Sequence, residues 1–292
     1  MAVTADWQVS YNDLLLGSGT PYRVVWPIEG LADHPDVVVS DQPKLRSDGL
    51  TPGDDFLDGR TIVLRVEVTG SDDAAFAEAV SAFKRAFRAG SGVVEQPLTF
   101  QAPGVADGGV RRLVGRPRKL ATPVDRQWQL RLPVFAVQFD ASDPRIYDDT
   151  ESSVGTDLAA ATTGHAWPQG WPMDWGGAST SGIVAATNAG TYSTPWVATI
   201  TGPVTNPTVE NVDTGQTLAF TANGGLSLGV GETLVIDSAT RTALLGGTAS
   251  RYDRLTSPVS WWDLPPGVTQ LRFGGSTSGT PSMTVTWRSA WI

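Results

Sequence analysis

The chain has 292 residues, which is enough for one large domain or two ordinary ones. It contains no cysteine, so disulfides, thiol catalysis and thiolate metal sites are excluded together. Only His34 and His165 are present, so one chain cannot build a multi-histidine metal site, and we expect no metal and no other cofactor. The 21 Lys and Arg against 30 Asp and Glu give a net charge of -9, the opposite of what nucleic-acid binders need.

No apolar run is long enough for a membrane-spanning helix, so no contact with a membrane is predicted. Residues 1–7 have neither a basic leader nor an apolar stretch, so we expect no secretion signal and synthesis in a cytoplasm. The 32 glycines and 20 prolines, with abundant Thr and Val, favour an all-β chain rich in turns.

The first clear element is a strand at residues 61–69, where apolar side chains alternate with polar ones. A helix is predicted next, at residues 72–89, with Ser71 as its cap and Gly90 as its stop. Its apolar side chains fall on one stripe, which is typical of packing against a sheet: Phe76, Ala79, Val80, Phe83 and Phe87.

Three more strands are predicted before residue 150, at residues 97–101, 110–115 and 128–139. In the last of these the apolar side chains change faces after Pro133. A change of this kind indicates either a bulge or a strand that passes between two sheets.

A domain boundary is predicted near residue 150, which gives domains at residues 1–150 and 151–292. The Trp/Pro/Gly-rich residues 167–177 are interpreted as an ordered crossover that wraps the second domain. Short strands separated by turns then predict a β-sandwich or jelly roll. They are residues 195–201, 208–211, 216–222, 232–237, 241–245, 269–273 and 282–291, with turn signals at 206–207, 223–225, 265–267 and 278–279.

One catalytic pattern occurs, the G-x-S-x-G of a nucleophile elbow at residues 225–229. The elbow needs a strand before Ser227, a helix after it and a histidine later in the chain. A turn precedes it here, a strand pattern follows, and both histidines come earlier. We therefore predict a small-residue loop, no catalytic residue and no enzyme.

Two acidic clusters and one basic run were also weighed. The acidic clusters (Asp54, Asp55 and Asp58; Asp148, Asp149 and Glu151) lack calcium-loop spacing and are interpreted as structural rather than as a glycosidase pair. The basic run (Arg111, Arg112, Arg116, Arg118 and Lys119) is compatible with a phosphate site. Without interleaved aromatic residues it is better interpreted as the exposed or partner-facing side of a hairpin.

Eight of the 11 tryptophans follow residue 160, which leaves two interpretations open. Tryptophans on a β-sandwich can stack on sugars, as in a carbohydrate-binding module. Trp261, Trp262, Trp287 and Trp291 also lie in apolar strand patterns, where burial in a core or subunit interface is natural.

The C-terminal half resembles the siphophage tail-component family, that is, the distal tail proteins or minor tail proteins. The resemblance lies in the order and spacing of residues 188–202, 206–211, 231–237, 264–267, 271–273 and 283–291. Residues 59–65, the helix and residues 139–147 resemble the family's first domain more loosely.

This resemblance implies an N-terminal split β-barrel with one helix that forms a homo-oligomeric ring, expected to be a hexamer, and a C-terminal galectin-like β-sandwich outside it. Such a ring ends the tail tube of a virion, bears the tail-tip or baseplate hub proteins, meets the tape measure protein and lets DNA pass without specific binding. The predicted function is therefore a structural virion protein at the tail tip. The alternative is a carbohydrate-binding adhesin module that contacts the host envelope, and a tail-associated hydrolase is disfavoured because no nucleophile–base pair can be assembled.

Overall fold

The computed structural model describes residues 2–90, 94–159, 182–277 and 279–292. The chain divides into two compact units, Met1–Asp149 with Trp291–Ile292, and Thr150–Ala290. The crossover predicted at residues 167–177, and Ser278 of the predicted turn at 278–279, lie outside the described residues.

The first unit consists of strands with two helices in the described part of the chain. Its elements are β1 (Val9–Tyr11), β2 (Leu14–Leu16), β3 (Tyr22–Glu29), β4 (Val37–Val38), β5 (Gln42–Pro43), β6 (Leu50–Thr51), β7 (Phe56–Leu57), β8 (Arg60–Val68), α1 (Asp73–Ala86), β9 (Gln96–Gln101), β10 (Val110–Ala121), α2 (Arg126–Gln129), β11 (Val134–Ala141) and β12 (Ile146–Asp148).

The main sheet of this unit runs in the order β2-β1-β9-β10-β11-β8-β3, and β12 also pairs with β10. The two ends of this path follow one another in the chain, and the amide of Gly17 donates a 2.7 Å hydrogen bond to the Tyr22 carbonyl between them. The alternation predicted for residues 61–69 is confirmed in β8, where Ile62, Leu64, Val66 and Val68 are buried. The sheet therefore curls around one core.

Helix α1 covers that core with the predicted stripe, since Phe76, Ala79, Val80, Phe83 and Phe87 are all buried. Its predicted limits of 72–89 are too wide. The cap is Asp72 rather than Ser71, because the Asp72 carboxylate accepts the Ala75 amide at 2.8 Å. The hydrogen bond from the Ala75 amide lowers the pKa of Asp72. At its other end the helix stops at Ala86, before Gly90.

The strand predicted at residues 128–139 is wrong in its first half. Asp125 accepts the amides of Gln127 and Trp128, which starts the short helix α2. Arg131 then takes a positive φ of 57°, and β11 begins only after Pro133. The change of parity at Pro133 thus marks the start of a strand and neither a bulge nor a crossing between sheets.

The second unit contains only strands and short 3-10 turns in its described residues. The strands are β13 (Ser152–Asp157), β14 (Ile183–Asn188), β15 (Trp196–Thr201), β16 (Val204–Asn211), β17 (Thr217–Ala219), β18 (Ser227–Leu228), β19 (Thr233–Asp237), β20 (Thr242–Leu245), β21 (Ala249–Ser250), β22 (Gly267–Ser276), β23 (Ser282–Trp287) and β24 (Ala290–Trp291), the last reaching into the first unit.

Two antiparallel sheets of this unit share one buried core, which makes it a β-sandwich. One sheet runs β13-β23-β15-β19-β20-β21, and the other runs β14-β22-β16-β17 with β18 beside β16. The predicted all-β fold class is confirmed. The turn expected at Asn206 and Pro207 is wrong, because both lie inside β16, where Asn206 has a φ of 51° and the register shifts.

Candidate functional site

A two-stranded arm leaves the first unit between β3 and β8. We call residues 36–58 the arm. It is held by the β4–β7 and β5–β6 pairs, and the Asp58 amide donates to the Asp36 carbonyl at 2.8 Å where the two sides meet. The Ser40 hydroxyl donates to the Asp54 carbonyl at 2.6 Å, which cross-links it further out.

The arm exposes apolar side chains that a soluble surface normally hides. All its residues except Leu57 are exposed. The large apolar ones are Val37, Val38, Val39, Leu45, Leu50 and Phe56, with Leu45 fully open and Phe56 64% exposed. Several large apolar side chains exposed on one segment make the arm a candidate contact surface.

A buried arginine fixes the base of the arm. Arg60 is 3% exposed, and its Nη1 donates to the carbonyls of Gly30, Leu31 and Asp33 at 3.1, 3.2 and 2.6 Å. Its Nε donates to the Pro144 carbonyl at 3.0 Å. Burial lowers the pKa of Arg60, and the Asp33 carboxylate opposes this shift. The guanidinium therefore ties the chain entering the arm to the sheet.

Two glycines let the arm start and end close to the sheet. Gly30 has a φ of 78°, and a Cβ there would overlap the Thr61 carbonyl oxygen. A Cβ on Gly59 would lie 2.8 Å from the Ala141 carbonyl oxygen. Both contacts are with backbone, which cannot easily move, so these positions need glycine.

The basic run was predicted to form the exposed or partner-facing side of a hairpin, and only its last two residues are exposed. Arg111 is buried, because its guanidinium lies over the Trp291 ring and within 3.4 Å of Asp148. Arg112 lies 3.8 Å from Asp149. Arg118 and Lys119 alone are exposed. The larger part of the run thus serves the packing of the first unit.

The acidic clusters are placed in two ways. Asp148 and Asp149 are the partners of the arginines just described, and Glu151 lies 3.9 Å from Arg288. Asp54, Asp55 and Asp58 are spread along the exposed arm. Within the described ranges, no group of three or more His, Cys, Asp or Glu could hold a metal ion.

Ser227 lies in the two-residue strand β18, and its hydroxyl donates to the Thr205 hydroxyl at 3.3 Å. A 3-10 turn precedes it, and the next element is β19, so the strand–serine–helix order of a nucleophile elbow is not built here. The surroundings are a short paired strand instead of the open loop that the sequence predicted.

The described tryptophans of the second unit lie mainly in its core. Trp196, Trp262 and Trp287 are buried, and Trp261 is half-buried. The indole N–H of Trp196 donates to the Trp262 carbonyl at 3.0 Å, and that of Trp287 to the Thr187 carbonyl at 2.9 Å. The three buried rings offer no open face for stacking on a sugar. Trp167, Trp171 and Trp175 are outside the described residues.

An exposed tryptophan pair is found on the first unit instead. Trp7 is 38% exposed and Trp26 is 56% exposed, and their ring centroids are 4.5 Å apart at an angle of 83°. The pair borders an open groove of about 620 Å³. Sequence reasoning missed both this groove and the arm.

In the portions of the chain that the structure describes, no helix is both long and apolar enough to cross a membrane. The features that stand out are an exposed apolar arm, a surface groove and two β-rich units. The arm and the groove are the candidate contact sites of this chain.

Comparison with known proteins adds to these observations. Residues 189–291 match the family model "Siphovirus-type tail component, C-terminal domain". This match confirms the resemblance that the sequence motifs predicted for the C-terminal half. No match was found among curated protein sequences.

Solved structures of phage proteins share the fold over nearly the whole chain. The structure of Dit (gp 19.1) of phage SPP1, described as a paradigm of the hub adsorption apparatus in phages infecting Gram-positive hosts, matches with a TM-score of 0.66 at 13% identity, covering 98% of this chain and 99% of that one. Chains of the phage P2 baseplate in its activated conformation, with Ca and with Sr, match with a TM-score of 0.51 each, at 9% and 8% identity and about 96% coverage. At these identities the likeness shows the fold.

Proposed function

We propose that this chain is a structural subunit of a long-tailed phage, located in the virion at the junction between the tail tube and the tail tip. The family match at residues 189–291 carries the proposal, and the shared fold over 98% of the chain supports it. The tail-tip or baseplate hub, the tube protein and the tape measure protein are the expected partners. The role needs no catalytic residue and no cofactor.

In this proposal residues 1–150 form the ring domain, and residues 151–292 form an outer β-sandwich domain. The arm is the element best suited to join one copy to the next, since it extends from the first unit and exposes six large apolar side chains. An arm that binds the neighbouring copy makes a heterologous contact, which closes into a ring when the rotation fits. A hexamer is the expected closed form.

The charge of the chain is compatible with passage of DNA through such a ring. A net charge of -9 repels phosphates, so DNA would slide without sticking if acidic side chains line the channel. Charge reversal of several lumen carboxylates should then slow DNA ejection. Unchanged ejection kinetics would contradict this part of the proposal.

The oligomeric state of the purified chain tests the ring. Native mass spectrometry and negative-stain microscopy should show closed oligomers with a channel wide enough for duplex DNA. The double variant Val38→Asp, Phe56→Asp should be monomeric, because charges on the arm would have to be desolvated at the contact. Val230→Asp with Val268→Asp is the matched control, since these exposed valines lie on the second unit.

A wild-type chain that remains monomeric at high concentration, or an arm variant that still forms rings, would contradict assembly through the arm. Labelling of the chain in intact virions tests its position independently. Gold-labelled antibody should bind only at the junction of tube and tip.

A further inference from the structure

We propose that the groove beside Trp7 and Trp26 is a binding site for a neutral saccharide. This inference goes beyond the structural role, and it does not depend on ring formation, because the groove is complete within one chain. The tryptophan pair, the polar groups around it and the strained backbone that holds it carry the argument.

The groove has the size and the apolar surfaces of a small-ligand site. Its volume of about 620 Å³ is in the range of small-ligand sites. Two indole rings at 83° present apolar faces in different directions. The apolar C–H face of a pyranose ring packs on such an indole face, which combines a broad apolar surface with a polar N–H.

Most of the side chains that line the groove are polar. The hydroxyls of Ser18, Thr20 and Thr69 and the carboxylates of Asp6 and Glu67 line the groove. The Thr20 and Thr69 hydroxyls donate to backbone carbonyls, and Asp6 accepts from Gln101, so these groups offer a sugar hydroxyl their remaining acceptor lone pairs. Val24 is the one aliphatic side chain among the lining residues that the structure describes. A docking site for an apolar protein segment would instead be lined mainly by aliphatic anchors.

The charged side chains around the groove favour a neutral ligand over an acidic one. Arg23 also lines the groove, and its guanidinium lies 3.9 Å from the Glu67 carboxylate. The charges of Arg23 and Glu67 offset each other, so the Asp6 carboxylate gives the groove a net negative charge. An acidic saccharide would be repelled, whereas the hydroxyls of a neutral one can donate to both carboxylates.

The backbone at Trp7 holds the tryptophan pair in a strained conformation. Trp7 has a φ of 63°, in the left-handed region that bulky residues avoid, and strain of this kind persists at functional sites when the surroundings enforce it. The Trp7 amide donates to the Gln101 carbonyl at 2.8 Å. The buried Gln8 side chain accepts the amides of Thr4 and Ala5 and donates to the Ser18 carbonyl at 3.1 Å.

The groove and the arm use different residues around the β3–β8 strand pair. These strands pair antiparallel, with Tyr22 opposite Val68 at one end and Glu29 opposite Val63 toward the other. The groove is lined from β3 and β8 by Val24, Trp26 and Glu67, among others, and none of its lining residues belongs to the arm.

Saturation-transfer NMR on the full chain tests the site, with maltotriose, cellotriose, chitotriose and a rhamnose trisaccharide as probes. We expect at least one neutral trisaccharide to receive saturation on its pyranose C–H protons. Trp26→Ala should weaken that binding about tenfold or more, which corresponds to ~1.4 kcal/mol. Trp26→Phe should restore much of it, because it keeps an aromatic face.

Tyr252→Ala is the matched control, since Tyr252 is an exposed aromatic side chain on the second unit, and it should leave binding unchanged. Glu67→Gln and Asp6→Asn should each weaken binding without lowering the melting temperature. No saturation transfer to any of the four probes at millimolar concentration would overturn the proposal. So would equal binding by the wild type and Trp26→Ala, or an equal loss in Tyr252→Ala. These outcomes are separate from the ring test, which measures the oligomeric state and not saccharide binding.

Discussion

The guanidinium of Arg111 lies over the indole ring of Trp291, with 3.9 Å between its carbon and the ring centroid. The same indole donates from Nε1 to the Asp107 carboxylate at 2.7 Å. Trp291 thus satisfies both its π face and its N–H within the first unit, although it follows the second unit in sequence. The chain end is part of the fold of the first unit.

Removing this ring should destabilise the first unit. Trp291 is buried, and Trp291→Ala should lower the free energy of unfolding by about 3 kcal/mol, since it leaves a cavity beneath Arg111. Trp291→Phe should lose less, because it keeps the stacking with Arg111. Urea unfolding followed by circular dichroism measures the difference, with Tyr252→Ala as an exposed aromatic control. Equal stability of Trp291→Ala and the wild type would contradict the role of Trp291.

Loss of Arg60 should release the base of the arm. Arg60→Met leaves the carbonyls of Gly30, Leu31 and Asp33 without their donor, which should cost at least about 2 kcal/mol. Proteolytic cleavage within residues 36–58 should accelerate at the same time. Arg23→Met is the control, because Arg23 is largely exposed. If cleavage is equally fast in the wild type and Arg60→Met, Arg60 does not hold the arm.

A pair of glycines separates backbone strain from steric overlap. Gly19 and Gly30 both have a φ of 78°, but a Cβ on Gly19 meets nothing within 4 Å, whereas one on Gly30 overlaps the Thr61 carbonyl. Gly19→Ala should therefore cost about 1 kcal/mol for the left-handed conformation alone. Gly30→Ala should cost about 2 kcal/mol more, because the backbone must shift. Similar melting temperatures for the two variants would show that the overlap is relieved without cost.

Tyr147 should make the protein less stable at high pH. Burial raises the pKa of Tyr147 above its ordinary value of 10.0, and the nearby Asp143 carboxylate, which accepts its hydroxyl hydrogen bond at 2.5 Å, raises it further. Because the folded state holds this proton more tightly than the unfolded state, the stabilisation is complete below pH ~10 and decreases as pH rises above it.

This effect is measured by determining the free energy of unfolding from about pH 8 to about pH 11, a range that brackets the ordinary tyrosine pKa. Tyr147→Phe should flatten the fall above pH ~10, since its ring has no ionisable group. Parallel curves for the wild type and Tyr147→Phe would exclude Tyr147 as a source of the pH dependence. Other tyrosines with raised pKa values, such as Tyr22, contribute equally to both curves.

The sequence predicted those elements in which local pattern and burial agree. The alternation through Ile62 and Leu64 and the stripe through Phe76 and Phe83 each follow from one buried face, so periodicity was sufficient. Around Trp128 the same reasoning failed. Apolar alternation favoured a strand, but the Asp125 cap and the restriction before Pro133 decided the local structure.

The surfaces could not be predicted in the same way. Val37, Val38 and Val39 are exposed on the arm, although a run of three valines normally indicates a buried strand. Trp7 and Trp26 are separated in sequence by β1 and β2, and only the fold brings their rings together. Arg60 has the same parity as the buried Ile62 and Leu64, but a charged side chain at that position is expected to be exposed unless the fold supplies partners for it. Charge and aromatic content suggest contacts, but the fold decides which residues make them.

The chain leaves the sheet at Gly30 and returns to it at Gly59, on either side of the arm, and the Arg60 guanidinium binds the Gly30 carbonyl across this opening. The length of the arm is therefore independent of the pairing of the strands that carry it. Insertions, deletions or exchange of the segment would leave the pairing of β3 and β8 in register. If the arm makes the subunit contacts proposed above, those contacts can change without any change in the sheet that carries the arm.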